Sequence, residues 1–124
     1  MPISYSIDKQ KSVILEVWNG DISAADLANY WRHYLADPDV MSIRRTLVDI
    51  RQANILFSGE QLSQMVKNIV LPALKGRHWK TAILLAQPVQ YGKARQYHVF
   101  AERYSRDAIF HDFDAAVEWL LHEG

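Results

Sequence analysis

The sequence predicts a single α/β domain over residues 1–124, with a five-stranded mixed sheet that opens on an antiparallel hairpin and carries about four helices. Three observations lead there. The first two apolar segments are separated only by the turn Lys9-Gln-Lys11 and read as a hairpin. After them strands alternate with helices, which implies a largely parallel sheet with right-handed crossovers and helices on its faces. No linker, repeat or low-complexity stretch interrupts that alternation.

Ile3, Tyr5 and Ile7 alternate with Ser4, Ser6 and Asp8, the period of a strand with one buried face. Val13 to Trp18 is apolar on both faces except at Glu16, so the second strand lies deeper in the sheet. Ser23 and Asp26 form a capping box, and Ile22 and Leu27 sit at the positions of a hydrophobic staple. The helix they open carries Leu27, Tyr30, Trp31, Tyr34 and Leu35 until Asp37-Pro38-Asp39, where the residue before proline leaves helical geometry. Thr46 to Ile50 is the third strand.

Ser58 and Gln61 repeat the capping box, with Phe57 and Leu62 as staple. Leu62, Met65, Val66, Ile69 and Val70 form the buried stripe of this second helix, and Pro72 predicts an end or kink near Leu71. Thr81 to Ala86 is an uninterrupted apolar run, the mark of a central parallel strand. A helix from about Tyr91 to Tyr104, a short strand Ala108 to Phe110, and a last helix capped by Asp112 complete the order.

Fourteen basic residues balance fourteen acidic ones, so the long-range field of a nucleic-acid or anionic-membrane binder is absent. There is no cysteine, which removes disulfides, thiolate metal sites and a cysteine nucleophile. No apolar run approaches the ~20 residues needed to cross a bilayer, and no basic segment precedes an apolar one near the start. A cytoplasmic protein without integral membrane association is expected.

Several segments together resemble the SpoIIAA-like group of STAS/SEC14-related domains. They are Gly20-Asp-Ile-Ser23, Leu47-Val-Asp-Ile-Arg51, Lys80-Thr-Ala-Ile-Leu84, Gly92-Lys-Ala-Arg95 and Phe113-Asp-Ala-Ala-Val-Glu-Trp-Leu120, in that order over nearly the whole chain. The resemblance implies a SpoIIAA-like (STAS-like) fold. In signalling members a serine directly before a glycine, at the start of the second helix, accepts phosphate, and Ser58-Gly59 stands in that place. Here Leu56 and Phe57 precede it, where the family motif has an acidic and a hydroxyl residue.

Asp49 and Arg51 share one face of their strand, near the sheet's carboxyl edge where open α/β sheets bind ligands. Either the pair contacts a ligand, or Asp49 accepts backbone hydrogen bonds beside a solvated Arg51. Lys93 and Arg95 lie near a helix start and are the expected anionic contact. Lys75 to Lys80 interleaves bases with Trp79, but zero net charge favours a solvated loop with Trp79 packed inward. The histidines show no zinc spacing, and no nucleophile elbow occurs, so neither metal, cofactor nor catalysis is expected.

Tyr30, Trp31 and Tyr34 span an arc wider than the sheet can cover, so a homodimer through this aromatic face is expected. The chain therefore reads as a noncatalytic binding or regulatory module, contacting a protein partner or a small anionic ligand through Asp49, Arg51, Ser58, Lys93 and Arg95. The alternative is a carrier of a small apolar or amphipathic, lipid-like ligand held between helices and sheet.

Overall fold

The computed structural model describes residues 2–122. Five strands, β1 (Ile3–Asp8), β2 (Val13–Ile22), β3 (Arg45–Ile55), β4 (Trp79–Leu84) and β5 (Ser105–Phe110), stand side by side in chain order. β1 runs antiparallel to β2, and the other neighbours are parallel. The helices are α1 (Ala24–Tyr34), α2 (Pro38–Ile43), α3 (Gly59–Met65), α4 (Leu71–Leu74), α5 (Pro88–Ala101) and α6 (Phe113–Leu121).

Spatial order that follows chain order, joined by right-handed crossovers, sends every crossover helix to the same face of the sheet. One core accordingly joins Ile14, Trp18 and Ile83 of the sheet to Leu27 of α1, Leu62 of α3 and Ala94 of α5. The opposite face is left to α6, where Ala116 and Leu120 pack on Val13, Leu47, Ala82 and Leu84. Lys80 ties α6 down, because its ammonium donates to the carbonyls of Trp119 and His122 and lies 4.4 Å from the Trp119 ring centre. Trp79 is buried, as expected for that segment.

Both capping boxes form. The Ser23 hydroxyl accepts from the Asp26 N–H, and the Ser58 hydroxyl accepts from the Gln61 N–H at 3.1 Å while Gln61 returns a bond to the Ser58 N–H. The Asp37-Pro38 stop is also a start: Asp37 accepts from the Asp39 N–H and caps α2, with Pro38 at the first position, where a missing N–H costs nothing. At Pro72 the helix neither ends nor breaks. It widens into a π-helical turn over Val66–Val70, in which the Leu71 N–H reaches back to Val66, and then continues as α4. Counting α3 to α4 as one rod, the described residues hold five helices rather than about four.

β3 is longer than its apolar stretch suggests because it contains a bulge. Val17 faces Asp49 and Asn19 faces Gln52, so Ile50 and Arg51 together oppose Trp18. The extra residue resets the alternation and turns Ala53 inward. β4 pairs with β3 only as far as Asp49, and a fully buried side chain takes over from there. Gln90 donates to the carbonyls of Ile50 and Ala53 at 2.8 and 3.1 Å, and its own oxygen accepts from the N–H groups of Ala86 and Gln87. Gln90 thus fastens the start of α5 to the free flank of β3.

Ser58→Ala should lower stability by ~1 kcal/mol and Ser58→Asp should leave it nearly unchanged, since aspartate also caps. Denaturant midpoints of the three proteins check this, and equal losses for both variants would contradict the capping role.

Candidate functional site

The three-helix face of the sheet is not completely filled. A cavity of about 80 Å³ lies between the sheet and helices α1, α3 and α5. Its floor follows from strand register. Thr46 and Thr81 are neighbours in one row, Glu16, Val48 and Ile83 form the next, and Trp18 and Ile50 follow toward the carboxyl ends of the strands. Trp31 of α1, Leu62 of α3, and Lys93, Ala94 and Tyr97 of α5 close the space above it, with Ile55 and Phe57 from the end of β3 and the loop beyond. Aromatic contacts stiffen these walls: the Trp31 and Tyr97 ring centres are 6.1 Å apart, and those of Trp18 and Phe57 are 6.2 Å apart.

Glu16 is the one acid lining this space and Lys93 the one cation among the described residues. Only 3% of Glu16 is exposed, yet among the described residues no cation forms an ion pair with it. Its carboxyl accepts two neutral donors, the Trp18 indole N–H at 2.7 Å and the Tyr30 hydroxyl at 2.6 Å. Burial pushes its pKa up to about 7, against the downward pull of those two bonds. Burial and the nearby Glu16 carboxyl drive Tyr30 and Tyr34 upward, so both remain neutral phenols, and Tyr34 shares a short hydrogen bond with Thr46. Lys93 sits partly exposed, 5.9 Å from the Phe57 ring centre.

A second acid stands on the same sheet face. Asp107 is paired in register with Thr81, and its side chain is wholly buried. One oxygen accepts from the Ser105 hydroxyl, whereas Oδ2 finds no hydrogen-bond partner and lies 3.9 Å from Nδ1 of His98. Burial pushes this carboxyl up to about 6. Ser105 and His98 therefore meet Asp107 from separate sides, and the serine bonds the acid rather than the imidazole, so the trio lacks the nucleophile-to-base contact of a hydrolytic site.

Of the residues expected to make contacts, only Lys93 reaches the cavity. Arg95 is two positions further along α5, and side chains so spaced on a helix do not face each other. It stacks instead on exposed Tyr91, 5.9 Å from the ring centre. Lys93 and Arg95 do not converge on one anion. Asp49 and Arg51 alternate with Val48 and Ile50 and so point away from the cavity. Asp49 accepts from Arg51 through Nε at 3.0 Å, Nη2 at 2.9 Å and the backbone N–H at 3.1 Å. Its partner is Arg51 itself rather than the next loop, and with the arginine side chain 40% exposed the pair is of the surface kind worth up to ~1 kcal/mol. The bulge also leaves Arg51 within β3 instead of at its carboxyl end.

Tyr30, Trp31 and Tyr34 require a correction. All three are under 10% exposed, at 6, 8 and 4%. Three crossover helices crowded on one face leave α1 flanked by β1 and the α3 rod, so Tyr5 packs edge-on against Tyr30 and Tyr34, and Tyr97 covers Trp31. These rings form core and cavity wall, not an outer dimer seam.

The comparisons with known proteins bear on the architecture. A solved structure from Shewanella loihica PV-4, an uncharacterised protein of the DUF3478 family with a SpoIIAA-like fold, superposes with a TM-score of 0.66 and 17% identity, covering 95% of this chain and 93% of that one. The chain has the SpoIIAA-like fold. No protein-family model and no curated protein matches it in sequence. Among the described residues no helix is long and apolar enough to cross a membrane.

Glu16 is the site residue that the sequence reading passed over. It interrupts the apolar run Val13 to Trp18 just as Asp49 interrupts Thr46 to Ile50, and only its parity, in step with buried Ile14 and Trp18, marks it as inward-facing. A carboxyl raised from 4.5 to about 7 holds its proton in the folded state after the unfolded chain has released it. Its contribution is complete below about pH 4.5 and is lost as pH rises through about 7. Glu16→Gln should remove this loss, so that wild type falls by roughly 3 kcal/mol relative to the variant across that interval. Urea midpoints measured at several pH values test it, and parallel pH curves would contradict it.

Proposed function

We propose that this SpoIIAA-like domain is a noncatalytic binding module that takes a small, largely apolar ligand into the cavity between the sheet and helices α1, α3 and α5. The cavity itself carries the reading. Its walls are mostly aliphatic and aromatic, with a few polar groups, the usual character of a small-molecule site. At about 80 Å³ it is well below the ~300–1,000 Å³ of drug-sized pockets, so the ligand has few heavy atoms or enters by one end. Lys93 gives such a ligand one solvated polar contact, which suits an amphipathic molecule.

A noncatalytic role is supported by how the polar groups around this space are engaged. Glu16 is held by Trp18 and Tyr30, and Tyr34 by Thr46, which orients them without readying a nucleophile. Exposed large apolar side chains are distributed over β2, the β3–α3 loop, α5 and α6, as Val17, Leu56, Val89 and Phe113, which favours an internal ligand over a flat protein-docking face.

Native mass spectrometry of freshly purified protein should reveal a retained small molecule, and n-butanol added to ligand-free protein should shift backbone amide resonances around Val48, Ile83 and Ala94. Val48→Phe, which fills the floor, should abolish those shifts. Identical butanol responses from wild type and Val48→Phe would overturn the assignment.

A further inference from the structure

We propose that the ligand of this cavity carries a protonated amine that pairs with the Glu16 carboxylate, while its apolar part lies against Trp18, Trp31, Phe57 and Tyr97. The inference rests on the cavity reading above and names the chemistry of the occupant.

Glu16 is surrounded by side chains from β1, β3, α1 and α5. Tyr5 of β1 faces it in register, Val48 is its neighbour on β3, Tyr30 and Tyr34 approach from α1, and Lys93 and Tyr97 line the same space from α5. Asp107 shares the sheet face but stands on β5, beyond β3 and β4, where it faces His98 of α5. Lys93 is partly exposed and makes no ion pair with Glu16. The carboxyl therefore meets neutral donors, and no cation within ion-pair distance among the described residues.

An ionised carboxylate offers about four acceptor positions, and here two are taken, by Trp18 and Tyr30. A buried charge in that condition either takes up a proton or takes a counter-cation. The cavity on which it opens suits the second course, because four aromatic side chains line it and aromatic rings attract organic cations once water is removed. An anionic ligand would meet the reverse: one partly exposed lysine, and a like charge at Glu16. A neutral alcohol satisfies the acceptor positions but leaves the charge uncompensated.

The matched probes n-butylamine, n-butanol and butyrate separate these cases in amide-shift titrations of the ligand-free protein. Near pH 8, butylamine should bind roughly tenfold tighter than butanol and butyrate weakest of the three. Near pH 6 the amine preference should shrink, because Glu16 then holds a proton of its own while the amine stays charged. Glu16→Gln should lose the preference for butylamine over butanol, and the wild-type pH series gives the same discrimination without a variant. Butanol binding with no amine preference overturns this inference and leaves the cavity reading intact. Failure of all three probes to shift cavity residues overturns both, and butyrate binding tighter than butylamine overturns the choice of cation.

Discussion

The handedness of the crossovers is the constraint from which the rest of this structure follows. With strands ordered in space as they are in sequence, right-handed connections place α1, the α3–α4 rod and α5 on one face of the sheet. Three helices cannot fill the surface of a twisted sheet evenly: Trp31 of α1 and Tyr97 of α5 meet at a tilt, and Tyr5 of β1 meets Tyr30 and Tyr34 of α1 edge-on. The incompletely filled space lies where their inner sides converge, above Glu16, Val48 and Ile83. The opposite face receives only α6, whose last carbonyls are held by Lys80 of β4. A cavity on one side and a thin cover on the other are two consequences of one topological rule.

Local chemistry made most of the elements legible. Ser23, Ser58 and Asp112 cap the helices they were expected to cap, because a side chain that satisfies a nearby N–H acts within one turn and needs no tertiary context. Proline carried more than one meaning. Pro38 read as a terminator, and α1 does end before it, yet Pro38 also opens α2 from the first helical position, where its fixed φ and absent N–H are assets. Pro72 read as an end or a kink, and the turn before it widens while the helix carries on. Whether a proline stops or starts a helix depends on the residues that pack around it, and those are set at long range.

The site was less legible than the fold, for a reason visible in β3. A bulge changes which side chains face inward, and nothing in the run Leu47 to Ile55 announces where the extra residue lies. Ending the strand at Ile50 put Asp49 and Arg51 near a binding edge; in the fold β3 runs on to Ile55, and the two share one face, as alternation implies, but bond to each other on the outer side. Gln90 was hidden in the same way. Its sequence neighbours suggest a solvated helix start, whereas it is fully buried because the flank of β3 beyond Asp49 has carbonyls that need a donor. Such a partner is specified by the sheet, forty residues away in the chain from Ile50, and leaves no local mark.

Void and charge coincide in this domain, and their magnitudes can be compared. At ~24 cal/mol per Å³, a cavity of about 80 Å³ costs the fold on the order of 2 kcal/mol in lost packing. Keeping Glu16 buried, with its pKa raised from 4.5 to about 7, costs roughly 3 kcal/mol more at neutral pH. Together they approach the lower end of the ~5–15 kcal/mol by which domains are stable at all. An apolar side chain at position 16 large enough to fill the space would remove both costs and, with them, the one acidic group among the described residues that opens on it. A ligand that fills the void and neutralises the carboxylate relieves the same two costs without altering the chain, so the folded state should gain stability in proportion to occupancy. The least well packed region of the core is in this sense the region with most to gain from a ligand, and Glu16 sets what kind of ligand that is.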